Sequence, residues 1–290
     1  MIKILLSGSN GFIGNYIKMK YSDQGVIILD RSTFFENSIE KFISNDDRYV
    51  FIHCAGLAHG IGKKYTKEDY WDANVNLTKK ILKKLELNPP ISVVFLSTVA
   101  VYGVDEGTNL DENTKLLANS FYSQSKIQAE AEIIQWANKL NIKYSILRLP
   151  LVVGFNAPGN LGRMTNAIKK RFFFLIGKGA AKKSMVLAQD IADYILEFAK
   201  VGGIYNVTDG RSHSVYDLSH TIAKSYGICF IPRIPLVFVC FIAHIGDFLG
   251  YKFIFNTNVL RKLTSDLTFN DSLAREKVGW NPQNVLEFYN

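Results

Sequence analysis

An apolar run that ends in a glycine turn and continues as an amphipathic segment opens the chain: IKILLSGSNGFIGNYIKMKY, residues 2–21. A short apolar run bounded by glycine fits a buried strand, and FIGNYIKMKY has the spacing of a helix. The alternation then recurs. VIILD (26–30), YVFIHCAG (49–56), SVVFLST (92–98) and YSILRL (144–149) read as further apolar strands. Between them ENSIEKFIS reads as a short helix, and EDYWDANVNLTKKILKKLEL as about five helical turns stopped by Asn88-Pro89-Pro90. Another helix begins near Tyr122. Strands apolar on both sides need cover on both faces, and a helix after each strand supplies it. The expected fold class is α/β, a doubly wound parallel sheet.

The first turn carries chemistry as well as shape. SGSNGFIG (7–14) spaces Gly8, Gly11 and Gly14 three apart between strand and helix. The first allows a tight turn, the second lets a pyrophosphate approach the backbone, and the third lets helix and strand pack closely. Amides at the helix start then face the phosphates. That makes the sheet Rossmann-type, with a dinucleotide as ligand. Asp30 ends the second strand, where an acid would accept the adenosine ribose hydroxyls and repel a 2′-phosphate, so NAD is favoured over NADP. Arg31 beside it would instead meet that phosphate, and the structural alternative is a turn with a surface ion pair.

Tyr122 and Lys126 stand four apart at the start of a helix, in FYSQSK, so their side chains are neighbours. A free phenol has a pKa of about 10 and is no base at neutral pH. One ammonium about 4 Å away is worth about 4 kcal/mol at an effective dielectric of about 20, enough to lower it by roughly three units. The pair is therefore a candidate proton-transfer group. The alternative is an incidental pair on a solvated face.

Composition narrows the rest. At 48% hydrophobic and 21% charged, the 290 residues have a soluble, globular profile of one large unit, or one large and one small. Cys54, Cys229 and Cys240 are too scattered for a disulfide framework or a CxxC metal site, and the five histidines show no ligand spacing. A cytoplasmic protein without a signal peptide or a metal is expected. The net charge of +8 suits an anionic partner, although no basic stretch has a nucleic-acid motif. Lysine pairs at 63–64, 79–80 and 83–84 also suit ordinary solvated helix faces.

After about residue 155 the pattern loosens into a glycine- and asparagine-rich loop, a basic-aromatic helix (AIKKRFFF) and short elements up to GGIYNV. Residues 1–155 are expected to form the dinucleotide-binding part, and 156–290 mainly a substrate lobe with segments returning to the first. The region from Ile228 to Phe255 is very apolar, but its longest uncharged run, Ile234 to Gly246, is 13 residues. A membrane span needs about 20. A buried helix of the C-terminal lobe is expected, with an interfacial helix near Lys252 as the alternative.

Together, Gly8-x-x-Gly11-x-x-Gly14, HCAGLAH (53–59), ANVNLT (73–78), STVAVYG (97–103) and Tyr122-x-x-x-Lys126 resemble the extended short-chain dehydrogenase/reductase family in its nucleotide-sugar branch. LRLPLVVG (147–154), APGN (157–160) and REKVGW (275–280) extend the similarity over nearly the full length. The resemblance implies that Thr98 hydrogen-bonds the substrate oxygen, Tyr122 exchanges its proton, and Lys126 lowers the tyrosine pKa and holds the nicotinamide ribose. It implies cofactor contacts from Asn10, Phe12, Ile13, Cys54, Ala55, Gly56 and Asn74, beside the glycines, Asp30 and Arg31. On the substrate side it implies Asn160, Lys183 and Arg261, with the lysine where an arginine commonly grips a phosphate. Leu77 replaces a usual glycine, and Leu151 an asparagine found in many 4-epimerases. The implied activity is reduction of a UDP-4-keto-6-deoxy-N-acetylhexosamine in surface-polysaccharide synthesis, with a UDP-hexose 4-epimerase as the alternative and an inactive cofactor-binding regulator third. The implied partner is a UDP-sugar, and a homodimer is left open.

Overall fold

The computed structural model describes residues 2–44, 47–58, 65–249 and 255–289. His59, the lysine pair at 63–64 and Lys252 lie outside the described residues. The first half runs β1 (Lys3–Ser7), α1 (Phe12–Lys20), β2 (Val26–Leu29), α2 (Arg31–Glu36), β3 (Tyr49–His53), α3 (Lys67–Tyr70), a π-helical turn (Trp71–Asn76), α4 (Leu77–Leu85), β4 (Ser92–Thr98), β5 (Gly107–Leu110), α5 (Phe121–Lys139) and β6 (Lys143–Leu149). The second runs β7 (Leu151–Val153), α6 (Gly159–Lys169), β8 (Leu175–Ile176), β9 (Lys182–Lys183), β10 (Met185–Leu187), α7 (Ala188–Val201), β11 (Gly203–Asn206), β12 (His213–Ser214), α8 (Val215–Ser225), β13 (Arg233–Ile234), α9 (Leu236–Leu249), α10 (Thr257–Thr264), β14 (Leu267–Phe269) and α11 (Ser272–Val278).

Six strands form a sheet in the order β11-β6-β4-β3-β1-β2, and every pairing in it is parallel. The pleat divides the side chains. Ile4, Leu6, Ile52 and Leu147 face Ile17 of α1, Ile195 and Phe198 of α7, and Trp280. Leu5, Phe51, Val93 and Ile146 face Phe34 of α2, Ile81 and Leu85 of α4, and Ile133 of α5. Both faces are dry, which is why the strands read as unbroken apolar runs. A separate cluster in the second half packs Leu161 and Ile168 of α6 against Leu218 and Ile222 of α8.

The structure corrects several sequence expectations. The helix expected at ENSIEKFIS lies earlier, as α2, with only a short 3-10 turn at Ile39–Lys41. α6 stops at Lys169, before KRFFF (170–174), and Arg171 takes a positive φ of 59° that a helix does not allow. GIYN at 203–206 is a full strand of the main sheet, reached through α7. α9 is not buried: Phe248 is 91% exposed and Val237 78%.

Candidate active site

The carboxyl ends of β1, β2 and β3 frame a cleft of about 450 Å³, lined by Gly8, Asn10, Gly11, Asp30, Arg31, Cys54, Ala55 and Gly56 among others. It lies where β1 is flanked by strands reached in opposite directions, the crevice that an open α/β sheet offers a ligand. The glycines here are obligatory. Gly8 has φ +73°, and a Cβ on it would lie 2.5 Å from the Ala55 nitrogen. A Cβ on Gly14 would lie 2.1 Å from the Gly8 carbonyl oxygen. Gly11 caps α1 without any side-chain hydrogen bond, so the first amides of the helix are left for a ligand. A dinucleotide pyrophosphate fits this cradle. Phe12 and Ile13 form the first turn of α1. Phe12 stacks edge-on with Tyr16, while Ile13 packs into the core below.

Asp30 has a second duty that the sequence reading missed. Its Oδ1 accepts hydrogen bonds from the Ser32 amide (3.1 Å), the Ser32 hydroxyl (2.6 Å) and the Thr33 amide (3.3 Å), making it the N-cap of α2. These bonds, the Ser32 hydroxyl first, hold its carboxyl below the usual range. Arg31 is the exposed first residue of that helix, not a turn residue.

Asn74 lies on the π-helical turn and is 2% exposed. Its Oδ1 accepts from the Leu57 amide at 2.6 Å, and its Nδ2 donates to the Leu57 carbonyl and the Ser125 hydroxyl. It therefore clamps the cleft wall after β3 to α5. His53 locks the strand beneath, bonded to the Ser7 hydroxyl at 2.6 Å and the Thr78 hydroxyl at 2.8 Å. Burial, with Lys126 nearby, drives its pKa down to about 3, so it is a neutral structural group.

On the other side of that clamp, α5 begins with a capping box, Ser120 bonded to the Ser123 amide and Ser123 to the Ser120 amide. This fixes the entry of Tyr122, whose phenol is close enough to the Thr98 hydroxyl at the end of β4 for that group to pull its pKa down. Thr98 also caps the following turn through the Ala100 amide. Ser97, one residue earlier, is buried and bonded to Glu130, so Thr98 is the hydroxyl that meets Tyr122. The expected lowering of the phenol pKa is not found. Burial pushes Tyr122 up to about 12, the Thr98 hydroxyl pulls it back, and Tyr70 pushes it further up. The reason is geometric: Lys126 Nζ donates to the Leu96 carbonyl at 2.6 Å and sits 3.9 Å from the centre of the Phe95 ring. Burial brings Lys126 itself down to about 7 against the opposing pull of Glu130. Cys54, its neighbour in the cleft wall, has its thiol pushed up to about 12 by burial.

Below Lys126 lies a buried polar network that sequence reasoning overlooked. Glu130 pairs with Arg148 at 2.9 Å, both side chains being 4% exposed. Arg148 donates to the Tyr102 hydroxyl, which donates to Asn206 Oδ1 at 2.7 Å. The signal was in the spacing, since Tyr122, Lys126 and Glu130 continue one helix face by fours.

The substrate-side expectations fare differently. Asn160 is exposed in the first turn of α6, beside buried Leu161. Arg261 is exposed on α10. Lys183 is not a free phosphate ligand: its Nζ donates to the carbonyls of Lys262 (3.1 Å) and Ser265 (2.9 Å), closing the C-terminal end of α10. Burial lowers its pKa.

Comparison with known proteins agrees with this geometry. The chain is 28% identical over 277 residues to the N-acetyl-α-D-glucosaminyl-diphospho-ditrans,octacis-undecaprenol 4-epimerase of Escherichia coli O157:H7, covering 90% of this chain and 80% of that protein. It is 24% identical over 312 residues to the UDP-glucose 4-epimerase of Vibrio cholerae, covering 98% and 92%. The crystal structure of UDP-N-acetylglucosamine 4-epimerase from Bacillus cereus superposes with a TM-score of 0.76 at 20% identity, covering 100% of this chain and 94% of that one. At that identity the likeness bears on the fold alone. Residues 4–208, which hold the glycine cradle, Asp30, Asn74, Thr98, Tyr122 and Lys126, match the NAD-dependent epimerase/dehydratase family, and the chain belongs to it.

Proposed function

We propose that the protein moves a hydride at C4 of a UDP-activated sugar, with Tyr122 as the proton-transfer group and Thr98 holding the C4 oxygen. The observation that carries this reading is the placement of Tyr122, at the start of α5, beside Thr98 at the end of β4, tied to the glycine-lined cleft through Asn74. NAD bound in that cleft would supply the hydride donor and acceptor. With Thr98 and Tyr122 both on the sugar C4 oxygen, the phenol would give its proton to that oxygen as the hydride reaches C4, and take it back from the hydroxyl in the reverse direction. The support for a diphosphate-linked sugar is that both curated relatives described above carry one in their names.

Two forms of this chemistry are distinguishable. In the reductase form, a UDP-4-keto-6-deoxy-N-acetylhexosamine is reduced once and Tyr122 only donates. Its support is the raised pKa of Tyr122, which keeps the proton on the phenol until an alkoxide calls for it. In the 4-epimerase form Tyr122 first accepts a proton and later returns it. Its support is the names of the relatives.

The test incubates purified protein with UDP-N-acetylglucosamine, UDP-glucose, or a UDP-4-keto-6-deoxy-N-acetylhexosamine, with and without NADH. One NADH consumed per keto-sugar establishes the reductase. Interconversion of C4 epimers without net NADH loss establishes the epimerase. Turnover of none of these sugars rejects the C4 reading.

A further inference from the structure

Helix α9 is built inside out. Its buried residues are Val239, Ala243 and Gly246, and the first two pack with Leu260 of α10 and the Ile176 and Ile234 side chains. The large apolar side chains point the other way. Val237, Phe238, Phe241, Ile242, Ile245 and Phe248 are all 40% exposed or more, with Phe238 at 65% and Phe241 at 67%. At about 100° per residue these six span an arc of about 140° opposite the packed stripe. A helix facing water puts polar residues there.

Exposed aromatics also flank the ladder that leads into α9. The β8–β13 ladder leads directly into it, with the Gly177 amide bonded to the Ile234 carbonyl at 2.8 Å. Phe172 just before β8 and Phe230 just before β13 are each 75% exposed. Large exposed apolar surface marks an interaction site. The charge around it is mostly positive, although α9 itself carries the exposed Asp247, which accepts from the Thr257 amide at 3.3 Å, and Asp217 lies in the first turn of α8. Residues 161–181 and 218–246 contain Arg163, Lys169, Lys170, Arg171, Lys178, Lys224 and Arg233, and no aspartate or glutamate.

We propose that α9 and the Phe172–Phe230 ladder form a docking face for an anionic lipid bilayer, with the aromatic side chains in the headgroup–acyl boundary and the surrounding cations on the phosphates. No helix among the described residues is long and apolar enough to cross a membrane, and the 14 residues of α9 are short of a span, so the helix lies in the surface. Charge selects the bilayer over a second copy of the chain. A self-interface would press two cationic rims together, whereas anionic headgroups complement them. This inference is independent of the sugar chemistry proposed above.

The test pellets full-length protein with vesicles containing roughly one-third phosphatidylglycerol in phosphatidylcholine, and with phosphatidylcholine alone. The wild type binds the anionic vesicles and loses binding as salt is raised. Combined Phe238→Ser, Phe241→Ser and Phe248→Ser weakens that binding at least about tenfold. The melting temperature of this variant stays unchanged, because all three side chains are exposed. Combined Lys169→Gln, Lys170→Gln and Arg171→Gln weakens binding to the anionic vesicles as well. Hydrogen exchange of the wild type, which needs no variant to fold, shows vesicle-dependent protection in peptides covering 236–249. The proposal fails if the wild type does not pellet with anionic vesicles, or if the serine variant pellets like the wild type. It also fails if protection appears only elsewhere, or if the serine substitutions convert a wild-type dimer to a monomer.

Discussion

Tyr122 holds its proton because burial makes the phenolate costly, a cost that the nearby Thr98 hydroxyl only partly offsets. Tyr122→Phe keeps the ring and removes only that oxygen. Turnover should fall by about 10²–10⁴-fold, the usual weight of a positioned acid, while NAD titration gives nearly the wild-type affinity. Activity above about a tenth of wild type would exclude the phenol as the main acid. Lys126 makes a prediction of opposite electrical sign. Burial brings it to about 7 from an ordinary 10.5. Below pH 7 it is protonated both folded and unfolded, and stability is indifferent to it. Between about 7 and 10.5 the unfolded chain keeps a proton that the folded one has lost, so stability rises with pH. Melting temperatures from pH 7 to 9.5 should therefore climb in the wild type relative to Lys126→Met. Parallel curves would mean that the ammonium stays charged where it lies. The pairing of Tyr122 with Lys126 was legible from four-residue spacing, whereas Thr98 entered only through the family resemblance. The direction of the Lys126 side chain was not, because the Leu96 carbonyl that captures it belongs to a strand 30 residues away.

Helix α5 is a platform for two of the three proposed catalytic side chains, and its hold on the sheet is partly ionic. Arg148 on β6 neutralises Glu130 on α5 with both groups out of water. Arg148→Met would strand the carboxylate, and loss of one partner of such a pair costs about 3–5 kcal/mol. Denaturant unfolding should show that drop. Adding Glu130→Gln should return part of it, and a single variant as stable as the wild type would demote the pair to a bystander. Elements differ in how far sequence discloses them. α4 was plain, because Leu77, Ile81, Leu82 and Leu85 repeat at helical spacing on its buried face. α2 was misplaced because Asp30 was read as a ribose acceptor or a turn residue, although Ser, Thr, Asn and Asp are also the residues that start helices. α9 was found but turned the wrong way. Apolar composition says that a face seeks cover, not where the cover comes from.

At the scale of the whole chain, NAD and stability are linked. A ligand that binds only the folded state adds about 2.7 kcal/mol at one hundred times its dissociation constant. Saturating NAD should raise the melting temperature of the wild type, and UDP should raise it independently if the second half holds the nucleotide. Gly14→Ala, whose Cβ would sit 2.1 Å from the Gly8 oxygen, should remove the NAD-dependent rise. A variant melting with an undiminished NAD shift would show that the cradle is not where the dinucleotide binds. The doubly wound sheet was readable from alternation alone. Its sixth strand was not, because GIYN is short, follows a helix of the looser second half, and gains its strand identity only by pairing with β6.

That late strand limits how this architecture can be cut and recombined. Five strands of the main sheet are complete by Leu149, yet β11 closes the flank of β6 with residues 203–206. A fragment ending near residue 155 would bare a row of β6 amides and carbonyls, an invitation to intermolecular pairing. It would also take Asn206 from Tyr102. Exchange of substrate specificity between relatives by chimera should therefore fail at a single crossover. The donor of the nucleotide half must also contribute α7 and β11, so a working hybrid needs a three-segment splice in which residues 188–206 travel with the first 150.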